Sequence, residues 1–244
     1  MAYKLDEDLE FLRYCDNNSL EVIVYTLTKD KDGEERVNED LTSTNSYKEH
    51  YPNHSMYWEE IAEEIQKNGG NSIANILRGR GIEYKKILYD VCDKMKVNYN
   101  KKSETRIIEQ YLLMKILEDA MKKMSAEELK EISKELDLKT TTFTSQAVMA
   151  ALQVAIKQSG FVAYQIAVIV ANAIAKQLLG HGLKMATNAT ITKSISIFAG
   201  PIGWVITGLW TAIDISGPAY RVTIPATIQI AYLRQEYITQ VSKQ

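Results

Sequence analysis

The sequence between Lys193 and Asp214 contains no charged side chain, although the whole chain has an ordinary globular composition. The run SISIFAGPIGWVITGLWTAI is 20 residues long, and about 20 apolar residues are needed to cross a membrane as one helix. Gly200-Pro201 lies near its centre, and proline disfavours helical backbone in the residue before it. We therefore expect two half-length helices, about 187–199 and 201–215. That length favours a buried hairpin or a re-entrant segment over a single span.

A second uncharged run, at 158–175, overlaps a row of small residues that recur at every fourth position. Small side chains at this spacing let another helix backbone approach closely, both in membranes and in tightly packed soluble helices. A straight helix rotates such a row by about 40° at each step. We therefore predict a break at Ser159-Gly160 that separates two hairpin-related helices. The row consists of Ala147, Ala151, Ala155, Ser159, Ala163, Ala167, Ala171 and Ala175.

Charge divides the chain at about residue 140. Residues 140–244 hold seven basic and two acidic side chains, a net charge of +5. Because the whole chain has 29 basic and 31 acidic residues, residues 1–139 carry −7. Either the two halves face each other or the basic half meets an anionic partner, although charge could also simply become sparse where the core thickens. One hypothesis is that the acidic half shields the apolar half, so that removal of 1–139 would increase binding to liposomes.

The first half of the sequence predicts amphipathic helices and no strands. Apolar residues recur at helical spacing over 82–97, and Ser125-Ala-Glu-Glu128 is a capping box that begins another helix. We predict an all-α fold, a multi-helix bundle whose amphipathic N-terminal half packs on an apolar C-terminal hairpin region. Its expected segments are a short helical module (1–28), a polar linker (29–54), an amphipathic helical domain (55–139) and an apolar, basic helical region (140–244).

The sequence offers little that is typical of catalysis. Cys15 and Cys92 match no metal or redox spacing, and Pro52 separates His50 from His54, so a regular metal-binding helix is not expected there. The stretch GGNSIANILRGRG (69–81) is rich in glycine but lacks the order of a phosphate loop. Helix caps explain its glycines as well as an anion site does. The anion-binding candidates in this stretch are Gly69, Gly70, Asn71, Ser72, Arg78 and Arg80.

Three blocks of the sequence together resemble the YaaW-like family of bacterial proteins. They are YKLDEDLEFLRYCDNNSLEVIVYTL (3–27), NGGNSIANILRGRGIEYKKILYDVCDKMKVNYN (68–100) and AGPIGWVITGLWTAIDISGPAYRVTIPATIQIAYLR (199–234). The domain of that family is often grouped with the ubiquinol–cytochrome c chaperones, and the first block resembles the short N-terminal module that precedes it. The resemblance implies a cytoplasmic, all-helical bacterial protein and supplies no agreed active site.

These observations lead to three functional hypotheses. The first is a non-enzymatic protein whose concealed apolar hairpin acts at an anionic membrane, in its sharpest form as a pore-forming or defence effector. The second is an assembly chaperone or adaptor that holds apolar helices of a membrane-protein client in a groove lined by the small-residue row. The third is an enzyme with its site near Arg78 and Arg80 or the histidine pair. The expected membrane-contact residues are Phe198, Gly200, Pro201, Gly203, Trp204, Gly208 and Trp210, with Lys184, Lys193 and Arg221 for headgroups.

We expect a cytoplasmic location, with a peripheral position at the inner membrane as the alternative, because the N-terminus lacks an apolar signal region and the cysteines are unpaired. A homo-oligomer remains an open alternative. We expect no cofactor or metal, and the pI near 6 argues against a nucleic-acid partner.

Overall fold

The computed structural model describes residues 3–30, 32–36, 39–68, 81–183, 189–216 and 220–242. Within 189–216, it describes the side chains of residues 194–205, 207 and 208 only. Helices dominate these ranges, and no strand occurs within them, which confirms the all-α prediction. The helices are α1 (Asn17–Thr28), α2 (Asn45–His50), α3 (Trp58–Asn68), α4 (Tyr84–Lys94), α5 (Thr105–Met121), α6 (Ala126–Glu135), α7 (Ser145–Gln158), α8 (Gly160–Leu179), α9 (Ala189–Ser216) and α10 (Tyr220–Val241).

Polar side chains start several of these helices. The predicted capping box is present at α6, where Ser125 accepts from the Glu128 backbone N–H and the Glu128 carboxylate accepts from the Ser125 N–H. At α1 the Asp16 carboxylate caps the helix by accepting from the Ser19 backbone N–H. Helix α5 begins after Glu104 without a side-chain cap bond.

The segment 29–54, expected to be a polar linker, contains a 3-10 turn (Leu41–Ser43) and helix α2. Leu41 is buried in the main hydrophobic core and Tyr47 packs against that core, so these side chains anchor this acidic segment to the body. Lys67 on α3 adds an ion pair with Asp40 at 3.2 Å. A leucine and a tyrosine among polar residues give no periodicity, which explains why the sequence did not reveal these core contacts.

Helix α10 lies at the centre of the molecule. Every residue from Val222 to Leu233 is buried, and the helix contacts α1, α3, α4, α5, α8 and α9. A helix surrounded on all sides carries no polar face, so the mixed residues of this segment do not show the usual amphipathic pattern. Gln229, inside this stretch, donates from Nε2 to the Ala171 carbonyl of α8 at 2.9 Å.

The predicted break at Ser159-Gly160 is confirmed, because α7 ends at Gln158 and α8 begins at Gly160. The break divides the small-residue row between two environments. Ala163, Ala167, Ala171 and Ala175 are buried within α8, where they allow close helix packing. The alanines of the row on α7 remain partly exposed. One sequence pattern therefore belongs to two different surfaces.

The predicted break at Gly200-Pro201 is wrong, because α9 runs without interruption from Ala189 to Ser216. Proline removes only one intrahelical hydrogen bond, and Gly200 lacks the Cβ that a following proline would crowd. Phe198 and Ile202 are fully buried on either side of Pro201, so core packing fixes the helix across the proline. Tertiary contacts thus override a local signal for a break.

The acidic and basic halves share one hydrophobic core and are not separate layers. Helix α5 of the first half packs against α8, α9 and α10 of the second. The Glu109 carboxylate on α5 accepts from Arg234 Nε at 2.8 Å and from the Tyr84 hydroxyl at 2.8 Å. Arg234 also donates from Nη2 to the Asp8 carbonyl at 2.6 Å. A chain lacking residues 1–139 would expose this core, so increased liposome binding by such a fragment would not test reversible shielding.

Replacement of Arg234 by Met should strongly destabilise the protein. Glu109 is fully buried, and burial already raises the pKa of its carboxyl against the opposing effects of Arg234 and Tyr84. Removal of one partner of a buried pair costs about 3–5 kcal/mol. Urea unfolding at pH 7.5 should show a loss of this size. The loss should be smaller near pH 5. In the variant, the buried Glu109 carboxyl has a raised pKa in the native state, so it is protonated there more readily than in the unfolded chain, and protonation removes the unpaired charge.

The control for this measurement is Lys122→Met, which removes exposed ion pairs with Glu118 and Asp119. Exposed pairs contribute at most about 1 kcal/mol, so this variant should unfold close to the wild type. An Arg234→Met protein with wild-type stability would show that the buried pair does not hold the helices together.

Candidate functional site

An open groove runs beside α7. It has a volume of about 810 Å³ and lies between α7, the segment 135–140 that follows α6, and the first turns of α8. The α7 residues that line it are spaced three and four apart, so they form one face of the helix. These residues are Ala147, Ala150, Ala151, Val154, Ala155 and Gln158. We call this surface the α7 groove.

The α7 groove is apolar and accessible. The side chain of Val154 is 54% exposed and that of Phe161, at the start of α8, is 40% exposed. The opposite face of α7 supplies Val148, Met149 and Leu152 to the core. Helix α7 therefore has two apolar faces, and only one of them is covered by other residues that the structure describes. An uncovered apolar helix face is typical of a surface that receives a partner helix.

A second exposed apolar surface lies on α9. Trp204 is 70% exposed, and Gly200, Thr207 and Gly208 are exposed near it on the helix. A Cβ atom added to Gly200, Gly203 or Gly208 would meet no other atom within 4 Å, so packing within the described chain does not require these glycines. The expectation that the uncharged run is concealed is wrong for this part of it. We call this surface the Trp204 face.

The other predicted membrane-contact residues do not all lie on the Trp204 face. Pro201 is partly exposed beside it, whereas Phe198 is fully buried and would have to leave the core to contact lipid. Arg221 is half-buried in the first turn of α10. Lys193 and Trp210 belong to α9, but their side chains lie outside the described part, and Lys184 lies outside the described residues altogether.

The predicted anion-binding block also lies outside the described residues. This applies to Gly69, Gly70, Asn71, Ser72, Arg78 and Arg80, and the helix expected to begin at Asn71 or Ser72 falls in the same stretch. The adjoining residue Gly81 packs so closely on Gln66 that an added Cβ would lie 2.6 Å from the Gln66 Cβ. Close approach of the backbone is one physical reason for a glycine at position 81.

The two thiols are poorly suited to nucleophilic chemistry, and the imidazole of His54 is buried. Burial raises the pKa of both Cys15 and Cys92 to about 12, which keeps the thiols protonated at neutral pH. Burial lowers the pKa of His54, whose Nδ1 pairs with the Tyr57 hydroxyl. Within the described ranges, no group of three or more His, Cys, Asp or Glu side chains could hold a metal ion.

Helix α8 is the one helix in the described part that is long and apolar enough to cross a membrane by length and composition. In this structure 61% of its apolar window is buried inside the protein. Core helices of soluble proteins satisfy the same length and composition test. The uncharged run at 158–175 therefore forms part of the core of this fold.

Fold and surface together define an all-α bundle with an exposed apolar groove, and comparison with known sequences identifies its family. The sequence model of the family described as ubiquinol-cytochrome C chaperone matches residues 53–228. The model of a domain of unknown function, DUF3944, matches residues 3–37. No solved structure gives a significant match.

Individual relatives support the same assignment. A UPF0174 protein of Helicobacter pylori is 54% identical over 96% of this chain and 93% of its own length. The UPF0174 protein YaaW of Escherichia coli K12 is 34% identical over 96% of this chain and 95% of its own length. The chain belongs to the YaaW-like UPF0174 family, which confirms the resemblance found in the sequence.

Thiol labelling can check the exposure of the α7 groove. The natural cysteines are buried and should react with a maleimide only after unfolding. In the native state the reagent cannot reach them, and their thiols are not in the reactive thiolate form. A Val154→Cys variant should take up one label per native chain within minutes. The control, Leu152→Cys, places the thiol on the buried face of the same helix and should remain unlabelled. Equal labelling of both variants, measured by mass spectrometry, would show that α7 is not docked as described.

Proposed function

We propose that this protein is a non-enzymatic chaperone or adaptor that holds an apolar helix of a membrane-protein client in the α7 groove. The observation that carries the proposal is the uncovered face of α7, with Val154 and Phe161 exposed beside three partly exposed alanines. Small side chains let a second backbone approach closely, which increases the number of van der Waals contacts per turn.

The dimensions of the groove suit one helix. Helix α7 has 14 residues, which corresponds to a length of about 21 Å. A client helix lying along it would cover the alanine face, with Val154 near its middle and Phe161 at one end. The charged residues Glu135, Asp137 and Lys139 lie at the rim, where they can remain in water while the apolar face is buried.

The family assignment supports the same proposal from a different direction. The family whose model covers 53–228 is described as a ubiquinol-cytochrome C chaperone, and this match includes both α7 and α8. A chaperone for an apolar client needs a binding surface and no reaction centre, and the neutral thiols and buried imidazole fit such a role.

A charge placed in the groove should abolish client binding. In Val154→Glu the carboxylate would have to be desolvated beneath an apolar helix, so we expect at least about tenfold weaker binding. The probe is a fluorescently labelled 20-residue helix of leucine and alanine, and binding is followed by anisotropy. The matched control is Gln153→Glu, which introduces the same charge at the adjacent exposed position of α7 outside the groove. Equal affinity for the wild type and Val154→Glu would refute the proposal.

The exposed Trp204 favours a second candidate function, contact with a lipid membrane. An indole on an uncharged helix has the amphipathic character found at membrane interfaces, and the open glycines around it leave a flat surface. The basic charge of residues 140–244 complements anionic headgroups. Pore formation is the strongest form of this candidate.

Liposomes separate the two candidate functions. If the Trp204 face binds lipid, Trp204→Ala should reduce flotation with anionic vesicles several-fold, because the most exposed apolar ring is lost. Tyr111→Ala, which removes another exposed ring on α5, should float like the wild type. Dye leakage would indicate pore formation. Equal flotation of wild type and Trp204→Ala would exclude the Trp204 face as the lipid contact.

A further inference from the structure

A second cavity, distinct from the α7 groove, lies where four helices meet. It has a volume of about 620 Å³, within the size range of small-molecule sites. Arg106 comes from the first turn of α5, Lys157 from the last turn of α7, and Gly160 from the start of α8. The end of α10 contributes Gln235 and Thr239. We call it the Gln235 cavity.

Gln235 provides the most direct indication of a ligand. Its side chain is only 4% exposed, and its Nε2 is buried without a hydrogen-bond partner among the described residues. A buried donor left unsatisfied costs about 1–3 kcal/mol. Gln235 lines the cavity, and rotation of its side chain would bring this buried donor to an acceptor atom bound there.

Two cationic side chains line the cavity. Arg106 and Lys157 line it, and no acidic side chain is among its lining residues in the described part. Glu104 lies 3.7 Å from Arg106 but is highly exposed, so this pair is weakened by water. The N-cap of α8, Ser159, makes no side-chain cap bond. The backbone N–H groups of Gly160 and Phe161 begin this 20-residue helix at the positive end of its dipole, whereas the Val162 N–H bonds to the Ser159 carbonyl and the negative end of α7 lies at the same junction.

The end of α10 contributes acceptors and no additional positive charge. The Thr239 hydroxyl donates to the Gln235 carbonyl at 2.7 Å, and the Ser242 hydroxyl donates to the Ile238 carbonyl at 2.8 Å. These bonds occupy the hydroxyl hydrogens and partly satisfy the last carbonyls of the helix. The donors that point to an anion are therefore Arg106, Lys157, Gln235 and the start of α8.

The cavity also has apolar walls. Ile107, Ile156, Phe161 and Ile238 line it beside the polar groups. We propose that the Gln235 cavity binds a phosphate group, with room for the beginning of an apolar chain attached to it. Two cations, one amide donor and a helix N-terminus match the charge and the several oxygens of a phosphate. The source is either an anionic phospholipid or a soluble phosphate compound.

The test uses a substitution that separates stability from binding. Gln235→Leu replaces the unsatisfied donor with an apolar group of similar size, so the melting temperature should stay equal or rise. Binding of inorganic phosphate, measured as the phosphate-induced rise in melting temperature against chloride at equal ionic strength, should weaken about tenfold or more. Lys157→Ala provides a second, exposed variant that should weaken phosphate binding without unfolding. Its matched control, Lys176→Ala, lies near the other end of α8 and should bind like the wild type.

Vesicles identify the source of the phosphate. Flotation with phosphatidylglycerol vesicles that is lost in both Gln235→Leu and Lys157→Ala would assign a lipid headgroup, and phosphate binding without flotation would assign a soluble compound. The proposal would be overturned if the wild-type protein bound neither inorganic phosphate nor the vesicles. It would also be overturned if the variants bound both probes as the wild type does. Flotation that depends on Trp204 alone would also overturn its lipid form. Because Gln235 lies outside the α7 groove, Gln235→Leu should still bind the apolar peptide, which keeps this test independent of the proposed function.

Discussion

The buried contact between Arg234 and Glu109 is the constraint on which much of this fold depends. A guanidinium and a carboxylate can be removed from water only when nearly all of their hydrogen bonds are replaced. Here the Glu109 carboxylate on α5 accepts hydrogen bonds from Tyr84 on α4 and from Arg234 on α10, and Arg234 also donates to the Asp8 carbonyl. The guanidinium also lies 4.4 Å from the centre of the Phe11 ring. Four distant parts of the chain must therefore be in place together, which gives the bundle a specific arrangement beyond hydrophobic burial.

Around this contact, small residues have two uses in the same molecule. On α8 they bring α10 close enough for Gln229 to reach the Ala171 carbonyl, which closes the core. On α7 the same four-residue spacing continues, but no part of the chain that the structure describes covers it. The change of environment occurs at Ser159-Gly160, which is also where the α7 groove and the Gln235 cavity come nearest, since Phe161 lines both.

Much of the helical content was predictable because its signals are local. The capping box at Ser125, the break at Ser159-Gly160 and the amphipathic spacing of α4 depend on neighbouring residues alone. The continuity of α9 through Pro201 was not predictable, because burial of Phe198 and Ile202 decides it. The same holds for the candidate surfaces. The alanine row was visible in the sequence, but whether each half is covered depends on packing. Gln235 carried no sequence signal, because an unsatisfied donor exists only once its surroundings are fixed.

The hydrogen bond from Arg234 to the Asp8 carbonyl joins positions 226 residues apart. During synthesis the N-terminal segment therefore emerges long before Arg234. The buried Glu109 also lacks its cationic partner until α10 has emerged. Contacts of such long sequence separation form late and slow folding. The bundle can be completed only after α10 has left the ribosome, and until then the apolar helices α8 and α9 need protection from aggregation themselves.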